Sequence, residues 1–130
     1  MTGKYERVVR EAQEAARSAW DSAVPIPMIV YTTKGLSDVP DLTKPVYRVD
    51  EGVCGFAWLE MDGRTGLAKY LKKLGIGRKQ TTGGYVISSW ELVPADRQSQ
   101  SFQRKDSAVR AAAEVFQRHG LKARPVSRLD

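Results

Sequence analysis

The sequence predicts an α+β two-layer sandwich: a sheet of about four mainly antiparallel strands, helices packed on one face, and a further helix at the N-terminus. Three observations predict it. Apolar residues recur at helical spacing in three separate stretches, and strand-like alternation fills the intervals between them. The last three strand-like segments are separated by two of the helices, which sets those helices on one face of a shared sheet. At 130 residues the chain reads as a single domain, 1–130, long enough to bury an ordinary core without metals or disulfides. Within it, 1–24 is the N-terminal helix, 34–45 a mobile loop, and 46–130 the α+β core.

Across 4–23, Tyr5, Val8, Val9, Ala12, Ala16, Ala19 and Trp20 recur at spacings of three and four, while Glu6, Arg10, Glu14 and Arg17 face elsewhere. Pro25 and Pro27 end this helix, because proline lacks a backbone donor and disfavours helix in the residue before it. Residues 28–33 are a short apolar run of strand type. The stretch 34–45 contains Gly35, Pro40 and Pro45 and is the longest irregular segment. Residues 46–49, a turn at Asp50-Glu51-Gly52, and 53–61 then read as a β-hairpin. Its second strand alternates Val53, Gly55, Ala57, Leu59 and Met61 against Cys54, Phe56, Trp58 and Glu60. Both faces are largely apolar, so this strand is expected at the centre, covered by helices on one side and partly on the other.

A second helix is expected over 66–74, with Thr65 as N-cap and Gly75 as a left-handed stop. Leu67, Tyr70, Leu71 and Leu74 form its core stripe, and Lys69, Lys72 and Lys73 occupy the rest of its surface. Gly83-Gly84 leads into a strand over 85–93, with Val86, Ser88, Trp90 and Leu92 alternating against Tyr85, Ile87 and Ser89. Residues 94–103 read as a polar connection. A third helix opens at Asp106 or Ser107 and runs to His119, with Val109, Ala112, Val115 and Phe116 inward and Gly120 as terminator. Residues 121–129 form a last strand, which Pro125 places at an edge. Trp20, Trp58 and Trp90 all occupy apolar positions and are expected in the core.

Charge is unevenly spread. Residues 1–62 carry a net −3, 63–90 a net +6, and 91–130 a net +3. The middle stretch holds Arg64, Lys69, Lys72, Lys73, Arg78 and Lys79 and no acidic residue. Such a concentration attracts anions, and nucleic acid is the leading candidate. In the loop 75–84, glycines allow close backbone approach to phosphate, while Lys, Arg and Thr supply charge and donors. No Gly-Lys-Ser/Thr occurs at Walker A spacing. Tyr85 is the one aromatic in this stretch placed to stack on a base, which favours contact with a duplex backbone over single-strand stacking. Arg104 extends the footprint through a second polar patch with Arg97, Gln98, Gln100, Gln103 and Lys105.

Several function classes lack their residues. Cys54 is the only cysteine and His119 the only histidine, too few for an ordinary zinc site, and no internal disulfide can form. Cys54 with His119 is a weak nucleophile–base candidate, since Cys54 falls in an apolar strand. Glu60, Asp62 and Glu91 lie near strand ends and are the carboxylates to test for convergence on Mg²⁺. Ser88-Ser89 lacks the Gly-x-Ser-x-Gly elbow. The chain is therefore expected to be non-catalytic, with no cofactor and no metal. The first 24 residues lack a signal-peptide core and no run matches a membrane span, so the expected location is cytoplasmic and no membrane contact is expected.

Val53-Cys54-Gly55-Phe56-Ala57-Trp58, the short basic helix, Gly83-Gly84-Tyr85, Gln98-Ser99-Gln100-Ser101 and the closing Ser127-Arg128-Leu129-Asp130 carry a resemblance. Over about 52–130 the chain resembles a group of small phage-encoded proteins with a Cys-Gly-Phe/Ser-Ala-Trp strand, a Gly-Gly-aromatic strand start and a terminal Ser-Arg-Leu-Asp. The resemblance implies a phage accessory protein acting in the host cytoplasm, and it implies no catalytic residues. The expected function is binding of an anionic partner, most plausibly nucleic acid. The alternative is an inhibitor or adaptor that binds a host or virion protein through the N-terminal helix and 34–45.

Overall fold

In chain order, α1 (Gly3–Ser22) is followed by β1 (Met28–Val30), β2 (Tyr47–Val49), β3 (Gly55–Asp62), α2 (Gly66–Leu74), β4 (Arg78–Lys79), β5 (Gly84–Ser88), a single helical turn α3 (Ser89–Leu92), α4 (Phe102–Arg118) and β6 (Arg124–Leu129). The structure is a computed structural model and describes residues 3–23, 28–30, 47–49, 55–93 and 101–129. The expected loop at 34–45, the turn at 50–52 and Cys54 lie outside the described residues.

The main sheet has the order β4-β5-β3-β6, and every pair in it is antiparallel. The α+β expectation holds, with β3 at the centre and β6 at an edge as Pro125 requires. Along β3, Gly55, Ala57, Leu59 and Met61 are buried while Phe56 and Asp62 are exposed and Trp58 and Glu60 half-buried. The period-two pattern thus gives the sheet one face under the helices and a second face that is exposed at Phe56, half-buried at Trp58 and Glu60 and buried at Val86. On the covered face Leu59, Ile87, Leu71, Val109, Val115 and Phe116 are fully buried in one apolar cluster. Helix α4 packs on this face and α1 runs antiparallel along α4. Arg104, at the start of α4, donates to the Trp20 carbonyl at 2.8 Å, while His119 at its end lies 3.0 Å from Glu11.

Local signals set the helix ends. Thr65 Oγ1 accepts from the Ala68 amide at 3.2 Å, and Gly75 stops α2 with φ +77°. The bounds of α2 match the expectation, but Leu74 is exposed rather than in the core, because the last residue before the turn no longer faces the cluster. Helix α4 begins four residues earlier than expected. Ser101, fully buried, accepts from the Arg104 amide and caps a first turn that its polar composition disguised.

Two expectations about strands fail. The hairpin of 46–49 with 53–61 does not form; Tyr47–Val49 pairs instead with Met28–Val30 in a separate two-stranded sheet. A strand has only two hydrogen-bonding edges, and β5 and β6 occupy both edges of β3. The strand expected over 85–93 ends at Ser88, where Glu91 accepts from the Ser88 amide at 2.8 Å and the chain enters α3. Helical geometry rotates Trp90 away from the core, and it is 66% exposed. Trp20 is buried and Trp58 half-buried.

Candidate functional site

The basic stretch spans α2, β4 and their three-residue connection. Lys69, Lys72 and Lys73 lie at i, i+3 and i+4 of α2, opposite buried Leu67 and Leu71, and all three are exposed. They make no ion pair among the described residues, and neither does Lys79. By contrast, Arg10, Arg64, Arg110, Arg118 and Arg124 each face a carboxylate. Four residues lie between Lys73 and Arg78, so the two stand within roughly 18 Å even at full extension. The helix lysines and the strand cations therefore lie on neighbouring elements, with Arg78 and Lys79 on opposite faces of the edge strand.

The loop 75–84 is a structured hairpin rather than an open phosphate cradle. Gly83 donates to the Gln80 carbonyl at 3.1 Å, closing the turn between β4 and β5. Gly77, at φ +83°, packs against Tyr85 and the Val86 carbonyl, and its amide donates to Glu91 Oε1 at 2.8 Å. Tyr85 is buried, with its hydroxyl donating to the Ile76 carbonyl. Burial, and then the Glu91 charge, push its pKa above the ordinary phenol value. Tyr85 is thus a core residue and offers no stacking surface to a base. What the hairpin does is fix Arg78 and Lys79, both exposed, on the edge strand β4.

Arg64 and Arg104 are engaged elsewhere. Arg64 Nε and Nη2 grip the two carboxylate oxygens of Asp62 at 3.1 and 2.8 Å, and the Arg64 amide adds a third bond. These bonds hold the Asp62 carboxyl down to about 2. Arg104 joins α4 to the end of α1, as described above. Of the second polar patch, Arg97, Gln98 and Gln100 lie outside the described residues.

The carboxylates do not converge. Glu60 accepts from Trp58 Nε1 at 3.0 Å and pairs with Arg124, and these two contacts, Trp58 first, lower its pKa. Asp62 holds Arg64, and Glu91 spans the amides of Gly77 and Ser88. His119 is exposed and paired with Glu11 at the last turn of α4, whereas Gly55, the neighbour of Cys54, lies against the first turn through Lys105. Among the described residues there is no group of three His, Cys, Asp or Glu side chains suited to a metal ion. No described helix is long and apolar enough to cross a membrane.

The second, partly covered face of the sheet matches the expectation for β3, but its cross-strand neighbours do not follow from the sequence. Directly paired residues share a face. Arg78, Val86, Glu60 and Arg124 therefore form one cross-strand row, and Ser88, Trp58 and Val126 a second. Phe56 and Arg128 form a third. The alternation along 54–60 already set Phe56 and Trp58 on one side; that Arg124 and Arg128 would join them depended on the partner strand. Fold and surface together define a small α+β domain with a basic end and a half-polar open sheet face. No family model, curated protein or solved structure matches the chain.

Proposed function

We propose that this chain is a non-catalytic phage accessory protein that binds nucleic acid through its basic end. One observation carries the reading: among the described residues, Lys69, Lys72 and Lys73 stand exposed on one stripe of α2 in no ion pair, with Arg78 and Lys79 following on β4. Unpaired ammonium groups keep their full attraction for phosphate, whereas a paired group must first give up its partner. Arg64 is held by Asp62, and Arg104 is held by the Trp20 carbonyl at the end of α1 opposite to the Tyr5 that packs on α2, so neither joins the exposed set. The phage context rests on the sequence resemblance alone.

Five phosphate contacts imply a log–log salt slope of about −4.5 with duplex DNA, at roughly −0.9 per contact. Fluorescence anisotropy with a labelled duplex across a salt series measures it. Replacing Lys69, Lys72 and Lys73 by Gln together is expected to reduce the slope by about 2.7. Absence of salt-sensitive binding to any nucleic acid rejects the proposal. A second reading, a protein-binding adaptor, is favoured by the exposure of Trp90, the residue type that dominates protein interfaces. It predicts that Trp90→Ala abolishes capture of a host or virion protein that survives nuclease treatment.

A further inference from the structure

We propose that the open face of the sheet is a stacking platform for unpaired bases, so that the preferred ligand is a single strand rather than a duplex. This inference rests on the nucleic-acid reading above and names its substrate class. Phe56 projects from the start of β3, where only β6 pairs with it, and remains 44% exposed. Two cations flank it: Lys105 Nζ lies 5.4 Å and Arg128 Cζ 5.3 Å from its ring centroid. Trp58 occupies the next row of the same face.

Charge complementarity selects the occupant. An apolar protein partner prefers a patch depleted of charge at its centre. Here the exposed ring is flanked by Lys105 and Arg128, and the carboxylate two rows away, Glu60, is already taken by Arg124 and Trp58. Exposed aromatic rings between cations are the arrangement that binds single strands, because every base offers a π-face and every linkage a phosphate. Arg78 makes the platform continuous with the basic end. It lies in the row of Val86, Glu60 and Arg124 on the open face, while the chain on either side of it belongs to the α2–β4 surface. A strand laid over Phe56 and Trp58 can thus carry its backbone toward Arg78 at the sheet edge.

The test uses three labelled 20-nucleotide probes in anisotropy titrations: oligo(dT), an abasic strand of equal length, and a duplex. Oligo(dT) is expected to bind the wild-type protein at least about 5-fold more tightly than the abasic strand, the lower end for one stacked base. Phe56→Ala is expected to erase that difference while leaving abasic and duplex affinities in place. Arg128→Gln, which keeps the Phe56 ring, provides a second variant and is expected to weaken oligo(dT) more than duplex. Equal wild-type affinity for oligo(dT) and the abasic strand, or an oligo(dT) preference that survives Phe56→Ala, overturns the platform and leaves the basic-end reading intact. Failure of all three probes to bind overturns both.

Discussion

Replacing Gly77 by Ala isolates how tightly the hairpin that carries Arg78 and Lys79 is held. An added Cβ meets Tyr85 Cε2 at 2.5 Å and the Val86 carbonyl oxygen at 2.6 Å, in a backbone at φ +83°. Neither neighbour can swing aside freely. The Tyr85 ring is 3% exposed and anchored through its hydroxyl to Ile76, and the Val86 carbonyl belongs to a strand paired on both sides. Gly75 is the internal control. Its φ is +77°, yet nothing lies within 4 Å of an added Cβ. Both substitutions therefore carry the left-handed penalty of about 1–2 kcal/mol. Only Gly77→Ala adds overpacking, at roughly 1–3 kcal/mol. With a urea m-value on the order of 2 kcal/mol/M, the midpoint of Gly77→Ala should fall about 0.5–1.5 M below that of Gly75→Ala. Equal midpoints for the two variants would refute the claim that this contact is rigid.

Two further predictions concern charge and packing. Asp62, depressed to about 2 by Arg64, adds stability above its ordinary value of 3.8 and loses that contribution as pH falls through about 2; an NMR titration should place its midpoint there, and Arg64→Gln should return it toward 3.8, while a wild-type midpoint already at 3.8 contradicts the ion pair. Trp20→Ala should cost about 3–5 kcal/mol and Trp90→Ala less than about 0.5 kcal/mol in thermal unfolding, and similar losses for the two would contradict the burial of one and the exposure of the other.

The positive end of the molecule was legible without coordinates, because α2 is bounded by its own residues. Thr65 and Gly75 set its ends, and once Leu67 and Leu71 face inward, the lysines at 69, 72 and 73 must face out. Whether those lysines would meet carboxylates was not legible. Arg64 and Arg124, equally basic in the sequence, are paired with Asp62 and Glu60 only because a turn and a partner strand bring them together. The stacking role assigned to Tyr85 failed for a related reason. Its alternation is encoded along the strand itself, whereas β4, which pairs beside it, comes from a stretch whose glycines and threonines predict a loop.

Local sequence sets α1, α2 and the greater part of α4, their apolar faces, the edge position imposed by Pro125 and the place of the positive charge along the chain. Helical hydrogen bonds close within four residues, so the caps and periodicity that govern them lie next to one another in the chain. Tertiary structure alone decided which strands pair, where Trp90 points and which cations surround Phe56. Gly55 finds its partner at Leu129, and Phe56 meets Arg128 across that same register. A strand leaves its hydrogen bonds to be completed by whatever segment the rest of the fold brings alongside, and no local run of residues encodes that choice.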